Sequence, residues 1–223
     1  MGKPHAHLVW DWNGTLFDDI DAVLGATNAS FAEIGLEPLT LERYRELYCV
    51  PVPVFYERLV GRRPTDAEWH VMDDTFHRHY TARRAACGLA EGAAELLAQW
   101  SLAGRSQSLC SLFAHEELVP VVGGFGIERH FVRVDGRTGP SGVSKSEQMA
   151  RHVEALAASG AVSAAHTVVI GDALDDAVAA RHVGARAVLY TGGSNSRAGL
   201  STAGVPVVDT LAEAVETAYA LVG

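Results

Sequence analysis

Lysine is almost absent. The chain carries 16 arginines but only two lysines, Lys3 and Lys145. Cysteine is scarce too: Cys49, Cys87 and Cys110 are scattered and odd in number. That excludes a disulfide framework and a paired-cysteine zinc site, and leaves buried thiols in a reducing compartment as the expectation. No apolar run is long enough to span a bilayer. The opening MGKPHAH passes straight into a strand pattern without a signal-peptide hydrophobic region. A cytoplasmic location is therefore expected. Positive charge is in deficit, with a formal net charge of −9, which disfavours nucleic acid or an acidic membrane surface as a partner. Internal repeats and low-complexity tracts are missing. What remains is a globular chain of 223 residues, 48% hydrophobic and 20% charged, long enough for one or two domains.

Short, continuously apolar runs predict strands at His7–Asp11, Ser106–Ser111, Phe131–Asp135, Thr167–Asp172, Arg186–Thr191 and Val205–Asp209. Helical patterns separate most of them, at Glu91–Trp100, Glu116–Val122, Lys145–Ala158 and Asp176–Val183. Alternation of this kind predicts an α/β fold, a parallel sheet with helices on both faces. One interval breaks the rhythm. From Asp18 to about Gly88 only helical patterns occur, at Asp21–Ile34, Leu41–Leu47, Val54–Leu59 and Asp66–Ala86. The last starts with a capping box, Thr65 followed by Glu68. A small helical domain inserted after the first strand is expected, with residues 1–17 and 89–223 forming the sheet domain and 18–88 the insert.

Ligands of open α/β sheets bind beyond the carboxyl ends of the strands. Three predicted strands end there in polar residues: Asp11, Ser111 and Asp172. Asp175 and Asp176 follow closely. Asp11 ends the apolar run HLVW, where burial gives a carboxylate no benefit. Several acids at one edge repel each other unless a cation sits among them, and oxygen ligands of this kind suit Mg2+. Asp175 by itself reads as a helix-start acid that favours the macrodipole. Lys145 stands in the first helical turn, where the dipole disfavours a cation, and a nearby anion would offset that. Ser111 is preferred over Ser108 as the strand-end hydroxyl.

The pieces DWNGT (11–15), Ser111, Lys145 and GDALDD (171–176) together resemble the haloacid dehalogenase (HAD) superfamily. LAEGAAELLAQW (89–100) and ARHVGARAVLYTGG (180–193) resemble its phosphoglycolate-phosphatase-like branch. The resemblance implies a Rossmann-like core with the helical insert as a cap. It further implies that Asp11 is a nucleophile that forms an aspartyl-phosphate. Mg2+ would be held by Asp11, the backbone carbonyl of Asn13, Asp172 and Asp176. Ser111 and Lys145 would hold the phosphoryl oxygens, Thr15 would brace the loop, and Trp12 would line the site. A small phosphorylated metabolite is the implied partner, and a monomer or homodimer the expected state.

Asn13 departs from the family pattern. Family phosphatases usually carry Asp there, to protonate the leaving oxygen and then activate water. An amide neither accepts nor returns that proton. The resemblance thus implies intact metal and phosphate binding with turnover in question. Asp18, Asp19 and His115 are substitute bases by proximity along the chain. A non-catalytic phosphate- or metabolite-binding protein and a dehalogenase-type hydrolase stay open as alternatives. A Schiff-base mechanism is disfavoured because the insert contains no lysine. His70, His77 and His79 read as a solvated helix face, and the segment YCVPVP (48–53) as a specificity loop.

Overall fold

The computed structural model describes residues 6–139, 143–158 and 162–222. Lys3 and the terminal residues of the expected core spans lie outside the described residues. In chain order the elements are β1 (His7–Trp10), β2 (Phe17–Asp18), α1 (Ile20–Glu33), α2 (Leu41–Leu47), α3 (Val52–Val60), α4 (Asp66–Arg84), β3 (Gly88–Leu89), α5 (Ala93–Leu102) and β4 (Ser106–Ala114). There follow α6 (His115–Gly124), β5 (Val134–Arg137), α7 (Lys145–Ala158), β6 (Thr167–Gly171), α8 (Leu174–His182), β7 (Arg186–Tyr190), α9 (Arg197–Ser201), β8 (Val207–Val208) and α10 (Leu211–Val222).

A parallel sheet runs β5-β4-β1-β6-β7-β8. Its continuous apolar strands alternate between two cores. Leu8, Trp10, Val168, Ile170 and Val188 face one side and pack on α5, α6 and α10 through Leu97, Trp100, Leu118, Val122, Leu211 and Ala214. Val9, Val169, Ala187 and Leu189 face the other and pack on α7, α8 and α9 through Met149, Ala177, Ala180 and Leu200. Both faces are covered, so the central strands β1 and β6 are apolar past their first residues. From β1 the chain moves to β4 and β5 on one side, then returns to β6 on the other. The ends of β1 and β6 therefore flank the point where the winding reverses, the crevice typical of ligand sites in such sheets.

The helices between β2 and β3 bury a separate core. Ile20, Phe31, Tyr44, Phe55, Tyr56 and Met72 cluster together away from the sheet. Helix α4 starts as expected: the Thr65 hydroxyl accepts from the Glu68 amide, and the Glu68 carboxylate accepts from the Thr65 amide. Four expectations need correction here. The helical interval is not free of strand at its ends, because Phe17–Asp18 pairs antiparallel with Gly88–Leu89 and joins its entry to its exit. Strand β4 does not stop at Ser111. It runs to Ala114 with a register shift between Cys110 and Ala114, since β5 offers pairing partners as far as Arg137. Strand β5 accordingly starts at Val134 rather than Phe131, and α8 starts two residues before Asp176.

A polar chain crosses the second core. Ser106 Oγ lies 2.8 Å from His7 Nδ1, His7 Nε2 lies 2.8 Å from Ser108 Oγ, and His152 Nε2 lies 2.8 Å from the same hydroxyl. His152 Nδ1 completes it, 2.7 Å from Asp135 Oδ2. One set of tautomers closes the chain as follows. Ser106 O–H donates to His7, His7 Nε2–H to Ser108, Ser108 O–H to His152, and His152 Nδ1–H to Asp135. Burial, with His152 as a lesser cause, pushes His7 down to about 3 from an ordinary 6.5. The unfolded chain thus binds a proton that the folded chain refuses between these values, so His7 removes stability as pH falls from 6.5 toward 3. The slope is about 1.4 kcal/mol per pH unit. Urea unfolding from pH 7 to pH 4 should show a shallower fall in stability for His7→Gln than for the parent. Equal slopes would refute the assignment.

Candidate active site

Asp11 sits one residue past β1, where its amide donates to Ile170 O at 2.9 Å. The following loop folds back on itself, with Phe17 N bonded to Trp12 O at 2.9 Å and Gly14 N to Phe17 O at 2.9 Å. Gly14 is needed for two reasons. Its φ is +70°, and a Cβ there would lie 2.6 Å from Asp172 Oδ2. On the opposite side a Cβ at Gly193 would lie 2.1 Å from the same oxygen. Asp172, just after β6, is thereby enclosed by two backbones. It accepts from Thr15 Oγ1 at 3.1 Å and from the Ser194 amide at 2.6 Å.

Helices α7 and α8 pack together and bring their first turns to the same place. Lys145 Nζ lies 2.5 Å from Asp11 Oδ1 and 3.0 Å from Asp176 Oδ1. All three side chains are buried. The one ammonium is shared between these two oxygens, and no other donor reaches either. The other oxygen of Asp176 caps its own helix by accepting from the Ala173 amide at 3.2 Å.

Charge here is unbalanced. Burial is the main force pushing Asp11 well above the carboxylate range; Lys145 pulls it back, while Asp176 and Asp172 push it further up. Burial and then Asp176 lift Asp172 to about 7. The same two causes lift Asp175 to about 6. For Lys145 burial opposes the charge, yet Asp11, Asp176 and Asp175 outweigh it and hold the ammonium well above its usual value. One cation thus faces several acids. Carboxylate oxygens of Asp11, Asp172 and Asp176 lie within 4.8 Å of one another, the one such group among the described residues. Three buried carboxylates that share one ammonium, in an all-oxygen set, fit a hard divalent cation such as Mg2+.

The remaining expected residues fall in different places. Ser111 is buried past the level of Asp11, and its Oγ accepts from the Phe113 amide at 3.1 Å. Trp12, expected to line the site, is 1% exposed and stacks on Phe17 at 5.1 Å in the sheet core. Its ring follows the loop's inward turn, so it offers no surface to a ligand. The Asn13 side chain turns toward the helical insert: Nδ2 donates to Asp19 Oδ2 at 2.7 Å and lies 2.7 Å from Tyr80 Oη. Asp18 is exposed, and His115 Nδ1 accepts from the Gly136 amide at 3.1 Å, so neither joins the cluster. His70 and His77 lie on an exposed face with Asp74 and Asp73, as expected.

Sequence reasoning missed the contacts that tie the insert to the acids. Arg45 on α2 donates to Gly193 O at 2.8 Å and Gly192 O at 2.7 Å. Asn195 donates to Tyr48 O at 3.0 Å and accepts from the Leu174 amide at 3.1 Å. Tyr48, from the expected specificity loop, is held well above a phenol's usual value, first by burial and then by Asp175, Asp172, Asp11 and Asp176. No spacing signal links residues so far apart along the chain.

The chain resembles known proteins along most of its length. Residues 142–214 match the HAD-hydrolase-like family. The chain is 27% identical over 190 residues to a phosphoglycolate phosphatase of Cereibacter sphaeroides, covering 83% of this chain and 85% of that one. It is 28% identical over 202 residues to a phosphoglycolate phosphatase of Synechococcus elongatus, covering 88% of each. A haloacid dehalogenase-like family hydrolase from Streptococcus pneumoniae superposes with a TM-score of 0.79 at 16% identity, covering 96% of this chain and 99% of that one. The chain is thus similar to HAD-like hydrolases over residues 142–214 and, over most of its length, to phosphoglycolate phosphatases.

The raised acids fix a sign. Asp172 keeps its proton in the fold up to about pH 7 but loses it near 3.8 when unfolded. Metal-free stability from this group therefore falls as pH rises between those values. A divalent cation needs the ionised form, so millimolar Mg2+ should raise Tm by about 5 °C near pH 8 and by less near pH 5. Asp172→Asn should remove the gain. An equal gain at both pH values, or one that survives the substitution, would sink the reading.

Proposed function

We propose that the protein is a Mg2+-dependent phosphohydrolase acting on a small phosphate monoester through an aspartyl-phosphate. The observation that carries this is the convergence of Asp11, Lys145, Asp172 and Asp176 at the sheet's reversal point. An Asp11 oxygen attacks phosphorus, so an O–P bond forms as the ester's P–O bond breaks. Water then attacks the phospho-aspartate and releases phosphate, regenerating the carboxylate. Asp11, the Asn13 carbonyl, Asp172 and Asp176 would hold the metal, which when bound supplies positive charge against the phosphoryl oxygens. Lys145 adds charge on the same group, and Ser111 a hydroxyl donor. In this reading residues 18–88 form a cap over a core of 1–17 and 89–223 and exclude water during the reaction.

The names of the curated relatives make 2-phosphoglycolate the first substrate to try, and Asn13 makes an acyl phosphate the second. An acyl phosphate departs with little need of a proton, whereas a poor leaving group without acid–base help is slower by roughly 100 to 10,000-fold. Asn13 also favours a second reading, a phosphate-binding protein without turnover.

Assays of 2-phosphoglycolate, acetyl phosphate and p-nitrophenyl phosphate, with and without Mg2+, separate these. Metal-dependent turnover, fastest on acetyl phosphate and lowered at least about 1,000-fold by Asp11→Ala, is expected. Phosphate that raises Tm with no turnover of any substrate would favour the second reading. Metal-free turnover of chloroacids would overturn both.

A further inference from the structure

Asp19 is a buried carboxylate in which three donors converge. The Gly14 amide donates to Oδ1 at 2.9 Å, Asn13 Nδ2 to Oδ2 at 2.7 Å, and the Tyr80 hydroxyl to Oδ2 at 2.6 Å. Asn13 Nδ2 is also 2.7 Å from the Tyr80 oxygen. These last three atoms form a nearly equilateral triangle. The two oxygens therefore subtend about 60° at the nitrogen, while amide hydrogens stand roughly 120° apart. The amide's Nδ2 therefore serves both oxygens with bent hydrogen bonds, and its Oδ1 stays outside the triangle. The amide cannot be reversed. An oxygen in place of Nδ2 would face the Asp19 carboxylate at 2.7 Å with no proton between them.

We propose that Asn13 and Asp19 are a matched pair. Asp19, together with Tyr80 on α4, is a positioning residue that sets the residue-13 side chain two places from Asp11. The amide at residue 13 is what a carboxylate at residue 19 requires. This rests on the reading of Asp11 as the nucleophile only in giving residue 13 a place beside the chemistry. The consequence concerns the obvious repair. Asn13→Asp by itself puts a second carboxylate against Asp19 inside the protein, where like charges repel strongly. The contact then survives only if one of the two carboxyls keeps a proton, so the substitution is expected to cost stability at neutral pH. Moving the carboxylate, by Asn13→Asp combined with Asp19→Asn, keeps one acid and one amide in contact.

A double-substitution cycle tests this on the full chain. Tm and Asp11-dependent hydrolysis of acetyl phosphate with Mg2+ are measured for the parent, each single variant and the combination. Asn13→Asp is expected to lower Tm by roughly 4 °C or more, and the combination to regain most of that loss. Turnover of the combination should exceed that of either single variant at least about tenfold, in kcat and not in KM. Tyr80→Phe should lower kcat and leave KM unchanged, which mere loss of packing would not do. If Asn13→Asp is as stable as the parent and faster, or if Tm changes simply add, the pairing is wrong even where Asp11-dependent turnover is present. If the Tm cycle is strongly non-additive while no protein turns over phosphate, the pairing stands and the phosphohydrolase reading falls.

Discussion

The structure hinges on an excess of buried negative charge balanced at one point. Asp11, Asp172 and Asp176 are buried, and Asp175 is half-buried beside them. The single ammonium among them comes from Lys145. An arginine there would present a wide planar fork that needs aligned acceptors; lysine brings a compact point charge on a flexible stem. That explains why an arginine-rich chain keeps a lysine at this position. The sheet winding, the first turns of α7 and α8, and the close approach at Gly14 and Gly193 all place oxygens around that charge.

A second buried network shows what the acid cluster is not. Ser108, His152 and Asp135 lie in the order of a hydrolytic triad, with spacings of 2.8 and 2.7 Å. Every donor and acceptor in that chain is matched, however, and His7 covers the serine from its other side. A hydroxyl closed in this way is a structural member of the core. The acid cluster is built the opposite way, with one ammonium shared between Asp11 Oδ1 and Asp176 Oδ1 and no other donor to either. Closure and its absence separate a packing device from a ligand site.

Much of this could be read in the chain beforehand, and the reason is local. Strands covered on both faces must be apolar throughout, so HLVW and TVVIG stand out. A carboxylate that ends such a run is conspicuous, and so are capping boxes such as Thr65–Glu68. Lys145 was visible because lysine is rare in this composition. The strand edges were less legible, since the extra length of β4 depends on a neighbour found far along the chain. Trp12 was misplaced because its direction follows the fold of the loop and not its identity. Asp19 drew notice only by nearness, although Tyr80, its partner, lies on another helix. Contacts between distant segments leave no periodic mark, and the tie between Arg45 and the glycine carbonyls is of that kind.

That tie constrains how the molecule moves. Strand β7 leads into residues 192–196, whose carbonyls receive the Arg45 guanidinium while the Ser194 amide grips Asp172. Asn195 bridges Tyr48 to the start of α8, the helix that carries Asp176. Swinging the helical layer outward therefore strips partners from a segment that also steadies two of the acids. With the helical layer as the proposed cap, access to the crevice and the firmness of its floor would be geared together, because lifting the one loosens the grip of the other.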